Sequence, residues 1–158
     1  MKRILSHIAL VGALAMGLVA CGGSGVTRPY DEVDVTPDSV AGDVAYYSYT
    51  LVSVGGATYP ALFSTKDGHW NWKTLAGTSW NVLKPELILW TAEGYTNAGA
   101  TEFVSEMGHT IVTWTPQVNY IVKLDADATD SLPADVPLLN IIKAYMLRPD
   151  LFSGVFPR

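Results

Sequence analysis

Cysteine is almost absent from this chain of 158 residues, which contains only Cys21. A single cysteine cannot form an internal disulfide, and it cannot supply the clustered thiolates that bind structural zinc. The folded part must therefore be stabilised by its apolar core alone. Material for a core is present, because hydrophobic residues make up 49% of the chain, which has 5 tryptophans, 8 tyrosines and 4 phenylalanines.

Basic residues are few and dispersed. The chain has 10 Lys and Arg against 15 Asp and Glu, a formal net charge of −5, and its one adjacent basic pair is Lys2-Arg3. Binding to nucleic acid needs clustered Lys and Arg that neutralise phosphates. The composition therefore predicts no nucleic-acid partner, and it does not favour binding to anionic lipid headgroups.

A long apolar run is also missing. A transmembrane helix needs about 20 apolar residues. The longest candidate, Ile4–Gly17, is shorter and is interrupted by Ser6 and His7. It follows the positive pair Lys2-Arg3 and leads into small residues, a layout typical of an export signal peptide. We therefore predict that residues 1–20 are such a signal rather than a permanent span.

Leu18-Val19-Ala20-Cys21 resembles the lipobox of bacterial lipoproteins. The resemblance implies thioether lipidation of Cys21, cleavage after Ala20 and acylation of the new amino terminus by a chain such as palmitate. More than one acyl chain gives stable anchoring, since each buried methylene adds ~0.8 kcal/mol. Gly22 instead of aspartate implies the outer membrane in a Gram-negative cell. The alternative is ordinary secretory cleavage that leaves a free thiol.

The next segment, residues 22–42, is rich in Gly, Pro, Ser and Asp and has no sustained apolar period. Such a composition predicts a flexible tether of residues 21–42, about 25 Å long on average. In the alternative, Val33 and Val35 would form an edge strand. The remaining residues, 43–158, have the length of one globular domain.

Alternating apolar residues, many of them Val, Tyr and Thr, predict strands in this domain. Gly55-Gly56 and Pro116-Gln117 predict hairpin turns, and Pro60 predicts an edge strand or a bulge. The predicted strands are Asp43–Val54, Ala57–Thr65, His69–Thr74, Glu86–Ala92, His109–Thr115 and Val118–Leu124. We therefore expect a mainly β fold of the α+β type, an antiparallel sheet forming a small sandwich or barrel of about six to eight strands.

A helix is predicted near residues 135–148. Asp135 can cap it, Pro137 is tolerated in its first turn, and Pro149 ends it. Its apolar stripe consists of Leu138, Leu139, Ile142, Tyr145 and Met146. The sequence does not decide whether residues 101–107 form a helix. Phe103 and Met107 are spaced for one, but Glu102 and Glu106 would repel each other four residues apart on a helix.

Candidates for chemistry are sparse. His69 and His109, with Glu93, Glu102 or Glu106, could form a zinc site or an acid–base pair, although histidines at exposed turns are commoner. Asp125–Asp130 alternates carboxylates but lacks the glycine and the glutamate of an EF-hand calcium loop. We find no nucleophile elbow and no phosphate loop. No catalytic residue, metal or cofactor is therefore predicted, and an envelope hydrolase or metal-dependent enzyme is kept as the alternative function.

Aromatic residues are the more informative feature. Trp70 and Trp72 would point to the same side of a strand, about 6.5–7 Å apart. If that side is exposed, the two indoles could bind sugar rings; if it is buried, they belong to the core. The sequence thus predicts a lipid-anchored envelope protein that acts as a non-enzymatic binding or structural module, with an envelope protein or a glycan as partner.

The segment Leu75–Trp80, "LAGTSW", is similar to the opening strand of META-type domains. These are small β-rich modules that often occur in bacterial lipoproteins. The resemblance covers six residues and implies a strand at this position.

Overall fold

The computed structural model describes residues 25–124, 127–128 and 130–158. The predicted signal peptide, the lipobox with Cys21, and part of the acidic segment Asp125–Asp130 lie outside the described residues. Within them, nine strands form one antiparallel sheet, accompanied by two α-helices, and the sheet curves into a half-barrel. The mainly β fold with a helix near the carboxyl end is confirmed.

The helices are α1 (Asn97–Glu106) and α2 (Leu138–Met146). The strands are β1 (Ser39–Ala41), β2 (Val44–Val52), β3 (Thr58–Ser64), β4 (Asn71–Thr74), β5 (Asn81–Val82), β6 (Glu86–Thr91), β7 (Thr110–Thr115), β8 (Asn119–Lys123) and β9 (Phe152–Pro157). Their order in the sheet is β5-β4-β3-β2-β9-β6-β8-β7, and β1 pairs with the first part of β2 on the edge opposite β3.

β2 and β3 form the hairpin that the sequence predicts. They pair from Tyr46 with Ser64 to Val52 with Thr58. Gly55 and Gly56 make the turn, with φ angles of +68° and +75°. Glycine suits both positions because it has no Cβ to oppose a left-handed backbone.

Pro60 lies in an internal strand, which does not fit the edge position that proline predicts. β3 pairs with β2 on one side and with β4 on the other. However, the β4 ladder reaches only Ala61, opposite Thr74, and the Pro60 carbonyl then accepts a hydrogen bond from the amide of Leu75 at 3.0 Å. The missing N–H of Pro60 therefore falls just beyond the ladder, where it costs no strand pairing.

The predicted central strand and second hairpin are present as β6, β7 and β8. β6 pairs with β9 and β8, and its side chains Leu87 and Leu89 are fully buried. The hairpin turn places Gln117 at φ +59°. Val118 is the first residue of the predicted strand Val118–Leu124, but it belongs to the turn before β8 and is 44% exposed.

β9 is a strand that the sequence analysis does not predict. It lies between β2 and β6, and its contact with β2 is the single pair Val52–Val155. Gly154 permits this approach, since a Cβ there would lie 2.6 Å from the carbonyl oxygen of Ser53 and 2.7 Å from that of Val52. The two parts of the sheet are therefore joined through a strand that needs glycine at this point.

α1 resolves the ambiguous segment as a helix. Thr96 caps it by accepting a hydrogen bond from the amide of Gly99 at 3.2 Å. Ala100, Phe103 and Val104 are buried on its inner side, whereas Glu102 and Glu106 are exposed. Water and salt screen the repulsion between exposed carboxylates, so burial of the apolar side decides the conformation.

α2 has the predicted apolar stripe but begins later than predicted. Leu138 is its first residue and Pro137 its N-cap, with no side-chain cap hydrogen bond, so Asp135 does not cap it. The buried residues of the helix are Leu138, Leu139, Ile141, Ile142, Ala144 and Tyr145. The helix ends at Met146, before Pro149, as expected from the proline.

The predicted flexible tether, residues 21–42, is folded onto the domain from Arg28 onward. The segment Arg28–Val35, here called the N-terminal strap, packs Tyr30, Val33 and Val35 against the core. Neither valine lies in a strand; Ser39–Ala41 instead forms β1 on the edge of β2. Isolated apolar side chains in a segment rich in turn residues are thus sufficient to dock it.

Hydrogen bonds attach the strap to α2. The side-chain amide of Asn140 donates to the carbonyl of Val33. The ammonium of Lys143 donates to the carbonyl of Asp34 at 3.2 Å. The backbone of the strap is therefore tied to the helix as well as packed on the core.

The segment Leu75–Trp80 forms a turn and an irregular connection rather than a strand. This differs from what the resemblance to META-type domains implies. Among the described residues, neither helix has the length and apolar character that crossing a membrane would require.

Candidate functional site

Trp70 lies in the core. Its side chain is 3% exposed, and its indole N–H donates to the carbonyl of Val136 at 2.8 Å. The rings of Tyr47 and Phe63 lie 5.3 and 6.4 Å from it, centroid to centroid. The indole of Trp70 therefore has no free face for a ligand, so of the two alternatives for this residue the structure shows the core.

Trp72 is partly buried on the same side of the sheet. Its ring stacks on Phe63 at 6.5 Å and meets the edge of Phe156 at 5.3 Å. Aromatic pairs of this kind stabilise a core beyond the area they bury. In this part of the sheet the core is filled by tryptophan and phenylalanine, whereas leucine and isoleucine fill it in the rest of the domain. The two indoles therefore face inward.

His109 is the second buried candidate. It is 7% exposed, and its Nδ1 lies 2.8 Å from the hydroxyl of Tyr145, within hydrogen-bond distance. Tyr30 of the strap stacks on the imidazole with a centroid distance of 6.1 Å and an interplanar angle of 7°. Nε2 is buried and has no hydrogen-bond partner among the described residues. Neither ring nitrogen therefore faces solvent.

The protonation of this pair follows from burial. Desolvation, together with the nearby guanidinium of Arg28, lowers the pKa of His109 to about 4. Burial raises the pKa of Tyr145 well above its ordinary value. Both groups are thus neutral at physiological pH, and an enclosed neutral imidazole cannot pass a proton to a substrate at the surface.

His69 lies in a different environment. It is exposed before β4, and its Nδ1 lies 2.9 Å from the hydroxyl of Ser131. No group of three His, Cys, Asp or Glu side chains that could hold a metal occurs in the described ranges. The structure thus does not assemble His69 or His109 with a carboxylate.

Two of the predicted carboxylate partners interact with an arginine instead. The pKa of Arg148 is raised first by its hydrogen bond to Asp150 and further by Glu106 and Glu102. The guanidinium of Arg148 also lies 4.8 Å from the ring centroid of Phe103. These carboxylates therefore belong to the exposed side of α1 and its contact with the segment after α2.

A groove on the outer face of the sheet combines aromatic and polar side chains. It has a volume of about 300 Å³, and its lining includes Asp38, Ser39, Tyr46, Ser48, Leu62 and Trp80. We call it the Tyr46–Trp80 groove. Trp80 is 41% exposed, and the ammonium of Lys73 lies 5.3 Å from its ring centroid.

Strand register places these side chains in rows. Ser39 of β1 lies opposite Tyr46 of β2. Ser48 of β2, Leu62 of β3 and Lys73 of β4 form the next row on the same face. Adjacent strands are about 4.8 Å apart, so Leu62 lies in this row with a polar side chain on each side of it, Ser48 and Lys73.

Asp38 is fixed at the β1 end of the groove. Its carboxylate accepts a hydrogen bond from the amide of Ser48 at 2.5 Å, and its own amide donates to the carbonyl of Tyr46 at 2.9 Å. In the described part of the chain, the hydroxyls of Ser39, Tyr46 and Ser48 have no hydrogen-bond partner within the protein. The groove therefore presents a positioned carboxylate and free hydroxyls.

A larger cavity of about 450 Å³ lies between the β6–α1 connection and the turn before β8. Its lining includes Glu93, Tyr95 and Gln117. The hydroxyl of Tyr95 accepts a hydrogen bond from the amide of Gln117 at 3.1 Å, and this bond is the main cause of the lowered pKa of Tyr95. This hydrogen bond joins two loops, so a structural role accounts for the presence of Tyr95 at this cavity.

Sequence reasoning does not find the Tyr46–Trp80 groove. Its residues are spread from Asp38 to Trp80, and Trp80 lies outside any strand. One signal was available: Tyr46 and Ser48 are the outward positions of a strand whose inward positions, Tyr47 and Tyr49, are also aromatic. An aromatic residue at an outward position is informative because such positions are usually polar in antiparallel sheets.

Comparison of the chain with protein-family models, with curated proteins and with solved structures gives no significant match.

Proposed function

We propose that the chain is a lipid-anchored protein of the cell envelope whose β domain acts as a non-enzymatic binding or structural module. The observation that carries the proposal is Leu18-Val19-Ala20-Cys21, which follows a positively charged and then apolar amino end. Lipidation of Cys21 attaches the domain to a membrane, the outer one if the cell is Gram-negative. An envelope protein or glycan is then the natural partner.

The docked strap adds support from the geometry. Only six residues, 22–27, separate Cys21 from Arg28, where the strap begins. Six residues span at most about 20 Å when fully extended. The domain is therefore held close to the lipid surface, nearer than a tether of 21 residues would hold it. Such a short connection suits a protein that acts at the membrane surface.

The binding role is supported by the Tyr46–Trp80 groove, which combines exposed aromatic and polar groups. The alternative of a hydrolase has no comparable support, because the side chains proposed for it lie apart: His109 is enclosed against Tyr145, and His69 is bonded to Ser131. A metal-dependent enzyme would further need a cluster of ligands.

Mass spectrometry of the full chain expressed in a bacterial host tests the anchor. We expect the wild-type protein in the membrane fraction, with Cys21 as its first residue and carrying acyl groups. Cys21→Ala should lose the lipid and leave the membrane fraction. Trp80→Ala, which changes the groove but not the lipobox, is the control and should remain lipidated. A soluble, unacylated wild-type protein would contradict the proposal.

A further inference from the structure

We propose that the Tyr46–Trp80 groove binds a neutral glycan built of β-linked, gluco-configured pyranoses. This inference rests on the proposed binding role of the domain and names the class of ligand. Four features support it: the aromatic side chains, the free hydroxyls, the strand pairing beneath the groove and its charge.

The aromatic side chains suit a sugar ring. An aromatic face carries negative charge in its quadrupole and attracts the weakly positive hydrogens of C–H bonds. A gluco-configured β-pyranose directs its axial C–H bonds to both faces and its hydroxyls to the rim. Trp80 is 41% exposed and lines the groove together with Tyr46. Either ring can therefore pack on a face of such a sugar.

The polar groups lie where hydroxyls of the sugar rim would reach. The carboxylate of Asp38 is held in place by the amide of Ser48, and a carboxylate has several acceptor positions. The hydroxyls of Ser39 and Tyr46 can donate and accept. Asp38, Ser39 and Tyr46 lie at β1 and β2, on the side of the groove opposite Trp80. One ligand can therefore contact the indole of Trp80 and these polar groups together.

Strand pairing argues against an extended peptide as the ligand. A peptide that adds to a sheet needs a strand edge with unpaired backbone groups. Beneath the groove, β2 is paired with β1 and β3, and β3 is paired with β2 and β4. Over β2 and β3 the groove therefore offers side chains and no free strand edge, which fits a polyhydroxylated ring better than a peptide backbone.

Charge and size complete the assignment. One carboxylate, Asp38, and one ammonium, Lys73, lie at the groove, so neither sign dominates there. The chain as a whole carries a net charge of −5, which disfavours acidic polymers. The volume of about 300 Å³ is at the lower end of the range for ligand pockets, so the groove accommodates a short stretch of a longer glycan.

Isothermal titration of the full chain in detergent micelles tests this inference. The probes are chitohexaose and cellohexaose, with a proline-rich decapeptide as the competing class of ligand. We expect at least one hexasaccharide to bind the wild-type protein. Trp80→Ala should weaken binding about tenfold or more, as loss of an aromatic anchor does. Asp38→Asn should weaken it less.

Trp114→Ala is the matched control, because Trp114 is 42% exposed, close to the value for Trp80, and lies on β7 outside the groove. It should leave the affinity unchanged. The inference is overturned if neither hexasaccharide binds, if both tryptophan variants lose affinity equally, or if only the peptide binds in a manner that depends on Trp80. Acylation of Cys21, measured on the same preparation, shows separately whether the proposed anchoring holds.

Discussion

His109 illustrates how a single buried side chain sets the response of this protein to pH. The imidazole is enclosed by Tyr30, Tyr145 and Arg28, and none of these is an anion that would stabilise a protonated ring. The folded state therefore holds the neutral form, with a pKa of about 4 against the ordinary 6.5. The unfolded chain binds the proton first as the pH falls.

We predict that acidification destabilises the protein between pH 6.5 and pH 4. Above pH 6.5 the imidazole is neutral in both states, and the stability that His109 allows is fully present. As the pH falls, the unfolded chain gains the proton first, and the free energy of unfolding has decreased by about 3 kcal/mol at pH 4. Urea unfolding followed by circular dichroism across this range measures it. In His109→Gln the free energy of unfolding should decrease less steeply with falling pH than in the wild type. The carboxylates are the same in both proteins, so their contributions cancel when the two are compared.

His69→Gln serves as the control, because it removes an exposed histidine that contacts Ser131. It should retain the acid sensitivity of the wild type. Equal slopes for the wild type and His109→Gln would show that burial of the imidazole does not govern the pH response.

Gly154 is the second residue whose replacement should be informative. A Cβ at this position would lie 2.6 Å from a carbonyl oxygen of the neighbouring strand, so Gly154→Ala must push β9 away from β2. We expect the free energy of unfolding to fall by about 3 kcal/mol, as overpacking does. Denaturant titration measures the change.

Gly42→Ala is the comparison for this effect. Unlike Gly154, Gly42 has a positive φ, +67°, and a Cβ there would meet nothing within 4 Å. Backbone strain alone should cost about 1 kcal/mol. If both variants cost the same, close approach of the strands is not the reason for glycine at position 154.

At the scale of elements, the strap depends on its attachment to α2. We predict that Asn140→Ala accelerates hydrogen exchange in residues 28–35, particularly at the amides of Asp31 and Val33, which bond within the strap. The reason is that the side-chain amide of Asn140 donates a hydrogen bond to the Val33 carbonyl, and alanine would remove that bond. Exchange measured by mass spectrometry reports the opening of this segment.

Lys143→Ala removes the neighbouring bond to the strap, a longer one at 3.2 Å from an exposed side chain. It should have a smaller effect on exchange than Asn140→Ala. An unchanged exchange rate in Asn140→Ala would mean that apolar packing of Tyr30, Val33 and Val35 suffices to dock the strap.

Elements with strong periodicity could be predicted from the sequence. β2 and the hairpin of β7 and β8 alternate regularly, β6 is a short run that is apolar on both faces, and α2 shows an apolar stripe. β9 could not be recognised in the same way, because Phe152–Pro157 contains glycine and ends in proline, both unfavourable for a central strand. Its position depends on pairing with residues far away in the sequence.

The candidate site was less accessible from sequence. The tryptophan pair was identified, but burial depends on what covers a strand, and local alternation cannot show that. The composition of residues 22–42 predicts a tether, and it does not reveal the docked strap because the apolar residues of the strap are separated by charged and turn residues. The groove depends on the register of β1 to β4, which brings Asp38 near Ser48 and Leu62 near Lys73.

For the molecule as a whole, β9 determines whether the sheet is complete. Without it, β6 would expose an unpaired edge, β2 would lose its one pair to the other part of the sheet, and buried side chains such as Phe152 and Val155 would be missing from the core. We predict that a chain ending at Asp150 does not fold cooperatively. The measurement is thermal unfolding followed by near-ultraviolet circular dichroism.

Deletion of Arg158 alone is the control for that truncation. Arg158 forms an exposed ion pair with Glu86 at 2.7 Å, which contributes little in solvent. This variant should unfold cooperatively with a slightly lower midpoint. A sharp transition in the chain that ends at Asp150 would show that the two parts of the sheet are stable without their shared strand.

Because β9 comes after the other strands in the sequence, it also determines when the sheet can be completed during synthesis. Val52 and Val155, the pair that joins the two parts of the sheet, are separated by about a hundred residues. At about 5–20 residues per second, the ribosome delivers Val155 roughly 5–20 s after Val52. During that interval the nascent chain lacks the strand that joins the two parts of its sheet. The sheet therefore cannot close into a domain before Val155 has been synthesised.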